Sequence, residues 1–383
     1  MSLTKKRTRR IFISDIHMGD KRSLNPPAPY TNKYGWLSKE RADLLADFLE
    51  MEVMGSDKVK ELIILGDLLD EWVCPTGLYP AKFLDVINAD HNGRAVENLK
   101  KIASSDVDVD LYYAPGNHDM MLNKAFMEDH FRGIRFCEDA EKKYVGVYQA
   151  DGLAAEHGSQ YTFFCAPNPG HPNNHWLPIG FFLSRVAAEK NAREGGKPYI
   201  FDILENFIHE FMDKPEFVKD LFIAVAKDCG LTEDSIIKMG GLDNFPDTIT
   251  VKDVANTYAD AVKQWNAIKP NGFSAAAAIS NELAGLRGPA MKEYFLPDKA
   301  RIVVCGHTHH PMLIGMNRDQ SYFHTFDQNG CGYLYANSGT WIDTHDCTYI
   351  ETEIKGNRHY VRWYEYKKNR RKKKQKERYI YLT

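Results

Sequence analysis

Five short apolar runs in this chain each stop at a cluster of Asp, Asn or His. Arg10–Ser14 (RIFIS) runs into Asp15-Ile16-His17, and Glu61–Leu65 (ELIIL) into Gly66-Asp67-Leu68-Leu69-Asp70. Asp110–Ala114 (DLYYA) runs into Pro115-Gly116-Asn117-His118-Asp119, Leu153–Glu156 into His157-Gly158, and Ile302–Cys305 into Gly306-His307-Thr308-His309. Apolar runs of this length bounded by glycine read as buried strands. Glycine lets the chain turn sharply and bring its backbone close to a bound group. A helical period over Ser38 to Met54, with Ser38 as cap, separates the first two runs. A second, Lys82 to Ala103, broken near Asn92-Gly93, separates the next two. The strand–helix–strand order predicts an α/β fold with a parallel-rich sheet, whose ligands bind at the carboxyl ends of the strands.

One glycine-aspartate turn, or one His-x-His, would mean little. Five polar clusters in fixed order at successive strand ends are not coincidence. Seven side chains form the candidate ligand set: Asp15, His17, Asp67, Asn117, His157, His307 and His309. Mixed oxygen and imidazole donors suit borderline divalent ions, with Mn first and Fe, Zn, Co or Ni as other choices, and disfavour a pure Ca or Mg cage. Seven ligands are too many for one ion and right for two if one carboxylate bridges. Two ions about 3.5–4 Å apart clamp both the attacking and the leaving oxygen in phosphoryl displacement.

The ordered motifs D-x-H, GD-x-x-D, GNHD, HG and GHTH resemble those of the calcineurin-like metallophosphoesterase superfamily, and they span residues 15–309. The resemblance implies a β-sandwich flanked by helices and a dinuclear centre. Asp15, His17 and His309 would hold one metal, Asn117, His157 and His307 the other, and Asp67 would bridge. It also implies hydrolysis of a phosphate ester or pyrophosphate by a metal-bridging hydroxide, with His118 as general acid. Asp70 matches the carboxylate that orients this histidine; Asp119 is a rival for that role. A carboxylate beside an imidazole fixes its tautomer and favours its protonated form. His310 has no role in the family pattern and is expected at the site mouth or in solvent.

Glu71-Trp72 stands where protein serine/threonine phosphatases of the superfamily carry Arg-Gly, which disfavours a phosphoprotein substrate. GDLLDEW, His310-Pro311 and Asn337-Ser338-Gly339-Thr340-Trp341 are instead similar to bacterial UDP-2,3-diacylglucosamine diphosphatases. GNHD and HGS depart from the GN-R-D and HGD of those enzymes.

Residues 160–298 differ in character. A loop rich in Pro and Asn (APNPGHPNNHWLP) leads into helical patterns at Tyr199–Met212, Pro215–Cys229, Val251–Ile268 and Ala275–Arg287, and nothing in the block reads as strand. The expected organisation is one metallophosphoesterase domain, 1–159 and 299–383, interrupted by an all-helical insertion, 160–298, capping the site. Trp176, Leu177, Phe181, Phe182 and Leu183 read first as the core of that cap, and His171 and His175 could reach the metals.

Charge is uneven. Residues 5–10 carry five positive charges, and residues 367–378 nine positive and one negative, although the whole chain is at -3. The basic run could be a solvated strip, a contact for anionic lipid, or a grip on nucleic-acid phosphates. The YIYL that follows it (379–382) reads as a last strand, which would make the run a loop. Seven scattered cysteines without a CxxC pair point to a reducing compartment. With neither an apolar leader nor a long apolar span, a cytoplasmic enzyme follows, at most peripheral to a membrane. Its substrate would be a small phosphorylated or nucleotide-type molecule. A metal-dependent nuclease is the alternative within the same chemistry. A catalytically silent scaffold for protein partners is the alternative outside it, and such scaffolds lose ligands that this chain keeps.

Overall fold

The computed structural model describes residues 7–104, 106–138, 145–170, 175–196, 216–319, 322–326, 330–367, 369 and 371–382. The predicted strands β1 (Arg9–Ile13), β2 (Val59–Leu65) and β3 (Asp110–Ala114) form, and pair in parallel with one another and with β4 (Arg135–Phe136). Antiparallel β13 (Cys347–Lys355), β14 (Arg358–Lys367) and β15 (Arg371–Tyr381) extend this sheet, giving the order β15-β14-β13-β1-β2-β3-β4. The second sheet has the order β11-β10-β12-β9-β6-β5. In it β6 (Leu153–Glu156), β9 (Ile302–Cys305) and β12 (Tyr333–Asn337) run parallel. At its edges lie β5 (Val147–Ala150) on one side and β10 (Met312–Asp319) with β11 (Tyr322–Phe326) on the other.

The two-residue period of the strands splits their apolar side chains between two cores. Phe12, Ile63 and Leu65 face Leu153, Ala155, Ile302 and Val304 between the sheets. Their sequence neighbours Ile11, Ile13, Leu62 and Ile64 pack against the helices Lys39–Phe48 and Gly93–Ala103. Both faces are therefore dry, which is why these strands read as continuous apolar runs rather than alternating ones. Ser38 caps the first helix by accepting the Arg41 N–H. The Lys82–Ala103 pattern breaks into Phe83–Ile87 and Gly93–Ala103.

The insertion holds helices Ile179–Glu194, Phe217–Asp228, Val251–Thr257, Ala261–Ile268 and Ala275–Ala284. The Tyr199–Met212 pattern lies outside the described residues, as does His171. The expectation of a block without strands is corrected by an antiparallel ribbon, β7 (Ile236–Lys238) with β8 (Thr248–Thr250). Ile236, Ile237, Thr248, Ile249 and Thr250 are β-branched and flank a Gly-Gly turn, a local signal for a hairpin that outweighs the surrounding helical period. Leu177, Phe181, Phe182 and Leu183 join Phe222 and Trp265 in one core, with Trp176 at its margin. The same core takes in Trp72 and Met120 from the loops after β2 and β3. Arg185 is fully buried and donates to the carbonyls of Cys74 (2.6 Å), Pro75 (2.9 Å), Leu78 (2.5 Å) and Lys238 (3.1 Å). The insertion is thus fastened to the loop that follows Asp67-Asp70.

The basic termini are built into the sheet. Arg7 pairs with Asp108, Arg9 with Glu351 and Glu353, and Arg10 with Glu61 and Asp151. The run of lysines is itself most of β15, not a loop before a strand. Lys and Arg at an exposed sheet edge discourage pairing with another chain. Among the described residues no helix is long and apolar enough to cross a membrane.

Candidate metal centre

Parallel pairing brings the carboxyl ends of β1, β2, β3, β6 and β9 to one rim, where Asp15, Asp67, Asn117, His157 and His307 follow them. Five of the seven candidate ligands have left-handed backbone: Asp15 (φ 54°), His17 (56°), Asp67 (53°), His307 (69°) and His309 (57°). Such angles persist in non-glycine residues only where the surroundings impose them, and they gather at functional sites. They also answer how His307 and His309 can face inward together: a strand would alternate them, and two left-handed residues around Thr308 do not. Gly116 is obligatory, because a Cβ there would lie 2.1 Å from Asp67 Oδ1. The loops are laced together by Asp119, whose carboxylate accepts the N–H groups of Leu68 (2.8 Å) and Gly116 (2.8 Å). Asp119 therefore holds backbone, and its rivalry for orienting His118 ends there.

Hydrogen bonds fix which imidazole nitrogen is left with a lone pair. His157 Nδ1 lies 2.8 Å from the Leu65 carbonyl, which can only accept, so Nδ1 carries the hydrogen and Nε2 the lone pair. His17 Nδ1 donates to Asp70 Oδ2 at 3.0 Å, which leaves its Nε2 as a donor to a cation. These lone pairs converge. His17 Nε2 is 3.2 Å from His309 Nε2, and His309 Nε2 is 3.2 Å from Asp15 Oδ1. Asp67 Oδ1 is pinned by the His118 N–H (2.8 Å), while Oδ2 faces His157 Nε2 (3.4 Å) and His17 Nε2 (3.7 Å). His157 Nε2 is also 2.9 Å from Asn117 Oδ1. Donors held about 2.0–2.2 Å from one cation lie roughly 3–3.5 Å from one another, so this spacing fits divalent metal. Clusters able to hold an ion include Asp15, His17 and His309, and separately Asp15, Asp67 and His157. The two clusters share Asp15, and Asp67 Oδ2 in the second also faces His17 of the first at 3.7 Å.

The electrostatics favour a cation. Burial resists ionisation of Asp67 and Asp15, yet His157 and His309 respectively lead the imidazoles that hold both below the usual carboxylate range. Burial likewise resists a charge on His157, but Asp67 outweighs it and lifts the imidazole to about 10. A proton there occupies the place of positive charge that the carboxylates demand. His307 and His309 are pushed down to about 3 and about 4, first by burial, which keeps them neutral as metal ligands must be.

His118 adjoins this set, and with His17 and Asp67 it forms a further cluster close enough to hold an ion. Its Nδ1 donates to Asp70 Oδ1 (3.1 Å), so one carboxylate orients both His17 and His118. Asp70 is itself held by the N–H groups of Trp72 (2.9 Å) and Val73 (2.8 Å). Trp72 stacks on the His118 ring at 4.6 Å. Burial opposes a charge on His118, but Asp70 and then Asp67 prevail and raise its pKa above that of free histidine.

Two sequence candidates lie elsewhere. His310 is exposed. His175 bonds the Asp243 carbonyl (2.7 Å) and stacks on Phe245 at 3.5 Å, inside the insertion. Four residues at the site escaped the sequence reading. Trp36 packs edge-on to His17 at 4.7 Å and against His118 at 5.2 Å. Thr162, Cys165 and Glu282 approach His307. Glu282 did carry a signal: it extends the buried stripe Ala275, Ala278, Ile279 at helical spacing, where an acid is out of place.

A sequence model of the calcineurin-like phosphoesterase family matches residues 8–227, more than half of the chain. The chain belongs to this family. No curated protein matches it. Solved structures similar to it include vacuolar protein sorting 29 from Cryptosporidium parvum, at 11% identity and TM-score 0.30 over 98% of each chain. Vps29 of Chaetomium thermophilum has 7% identity and TM-score 0.28, over 98% of this chain and 100% of that one. A Staphylococcus aureus structure assigned as a 5′-nucleotidase has 12% identity and TM-score 0.32, over 98% of this chain and 54% of that one. TM-scores this low carry no argument, and the place of the chain among calcineurin-like phosphoesterases rests on the family match.

Proposed function

We propose that this calcineurin-like phosphoesterase is a dinuclear metal-dependent hydrolase of a small phosphate ester or pyrophosphate. Asp15, His17 and His309 hold one cation, Asn117, His157 and His307 the other, and Asp67 lies between them. The observation that carries this reading is the convergence of imidazole nitrogens on Asp67 Oδ2 among buried carboxylates, with His307 and His309 held neutral by burial. Two bound divalent cations, Mn first among the borderline metals, supply charge neutralisation at phosphorus and activation of the nucleophile. The protein supplies the rest. Asp70 keeps the hydrogen on Nδ1 of His118, and the raised pKa lets His118 Nε2 hold a second proton for the leaving oxygen. Residues 160–298 act as a cap, supported by Trp72 and Met120 lying in the insertion core and by Arg185 fastening it to the loop after β2. The two remaining segments, 1–159 and 299–383, form the catalytic domain.

The test is metal content and a substrate panel. The purified chain should take up two divalent ions, and chelation should abolish hydrolysis. Asp67→Asn should lower uptake of both ions, because it removes the charge between them. With Mn present, an aryl phosphate, its diester, a nucleoside diphosphate-sugar and single-stranded DNA separate monoesterase, diesterase, diphosphatase and nuclease. A chain that takes up no metal and hydrolyses none of these would be a scaffold instead.

A further inference from the structure

His307 differs from the other candidate ligands in what holds its ring. The Thr162 hydroxyl donates its single hydrogen to the Ser159 carbonyl at 2.8 Å. At its other contact, His307 Nε2 at 3.2 Å, it can therefore only accept. Nε2 carries the hydrogen, and the lone pair of His307 sits on Nδ1. This is the reverse of His17 and His157, whose lone pairs are on Nε2. The Nε2 side of the ring also faces a carboxylate, with Glu282 Oε1 at 4.0 Å. That side chain is 1% exposed, and Cys165 Sγ donates to the same oxygen at 3.2 Å. Glu282 stands on the helix Ala275–Ala284, more than 100 residues along the chain from Thr162, which bonds the same ring. Burying a carboxylate is costly unless it is hydrogen-bonded, and Thr162 and the Phe164 backbone join Cys165 around this one.

We propose that Glu282, with Thr162, is a positioning residue for the metal centre: Thr162 accepts the Nε2–H of His307 while the Glu282 carboxylate faces the same edge of the ring from 4.0 Å, so that Nδ1 is presented to the cation beside Asn117 and His157. This rests on the dinuclear reading and adds that the helical insertion is part of the metal centre, not only a cover above it. An outer carboxylate of this kind both orients a histidine ligand and makes it a better donor.

Calorimetric titration of the metal-free full chain with Mn tests it. Wild type should show two binding events; fewer would overturn the dinuclear reading and this inference with it. Glu282→Ala and Thr162→Val should each weaken one event by roughly 10–100-fold, the usual scale for such partners, and leave the other unchanged. Glu282→Gln, which keeps the shape and an acceptor oxygen, should fall between and serves if the alanine variant does not fold. Both events at wild-type affinity in Glu282→Ala, or in Glu282→Gln and Thr162→Val together, would overturn the proposal. Cobalt loading gives a second readout. A thiolate charge-transfer band that disappears in Cys165→Ala would mean that Cys165, Glu282 and His307 bind an ion directly, and would also overturn it.

Discussion

Glu71 shows how far burial and one neighbour can reset a residue. It occupies the position after Asp70, 6% exposed, and its carboxyl is pushed up to about 8 by burial first and by Asp70 second. In the unfolded chain it ionises near 4.5, so between these values the folded protein binds the extra proton. Stability should therefore fall as pH rises from about 4.5 through about 8, by a few kcal/mol in all. Glu71→Gln should remove that decline. Urea unfolding at about pH 5 and about pH 9 checks it: the gap in midpoint between the two should shrink in the variant. The next loop carries His118, the proposed proton donor. His118→Ala should cut turnover on a substrate with a poor leaving group by roughly 10²–10⁴. The loss should be much smaller when p-nitrophenolate leaves, and metal content should not change. Equal losses on both substrates would mean that His118 binds phosphate without donating a proton. Asp70→Asn would not isolate the same step, because Asp70 also orients His17.

Among the elements, β15 turns a charge run into architecture. Ile380 is buried between the sheets, whereas Arg371 to Gln375 are exposed. Lys372 reaches Glu52, and Arg362 on β14 reaches Glu377 on β15. Deleting residues 371–383 should uncover the backbone of β14 and part of the inter-sheet core. Light scattering should then report association that wild type lacks. A deletion variant that stays monomeric would show that the strand is dispensable as an edge guard. The strand ends were legible because buried runs, glycine and ligand types coincide within a few residues. The β7–β8 ribbon was missed although its β-branched residues and Gly-Gly turn favour a hairpin, because that signal is spread over two strands of only three residues.

At the scale of the molecule, the insertion and the sandwich share side chains, so neither is a free-standing part. Trp72 and Met120 leave the loops after β2 and β3 to enter the insertion core, and Arg185 returns from the insertion to three carbonyls of the loop after β2, those of Cys74, Pro75 and Leu78, besides that of Lys238 within the insertion. Arg185→Met keeps volume but leaves those carbonyls without their donor, each costing about 1–3 kcal/mol where it stays buried. The melting temperature should drop, and limited proteolysis should cut within residues 74–80 first. A variant with wild-type melting and protease resistance would show that the apolar contacts alone hold the insertion in place.

Local chemistry was enough for the sequence to determine the α/β class, the order of strands and helices at the core, and the seven candidate ligands at strand ends. Each of these depends on residues a few positions apart: a buried run, the glycine that stops it, the donor that follows. Tertiary structure alone decided the rest. That Asp70 rather than Asp119 meets His118 depends on how the two loops fold together, since Asp119 follows His118 directly in the chain whereas Asp70 lies 48 residues away. That the arginines near the N-terminus are spent on Asp108, Glu351, Glu353 and Glu61 depends on which strands pair. Glu282, on the helix Ala275–Ala284, comes within 4.0 Å of His307 only through the fold. No periodicity along the chain records a contact made in that way.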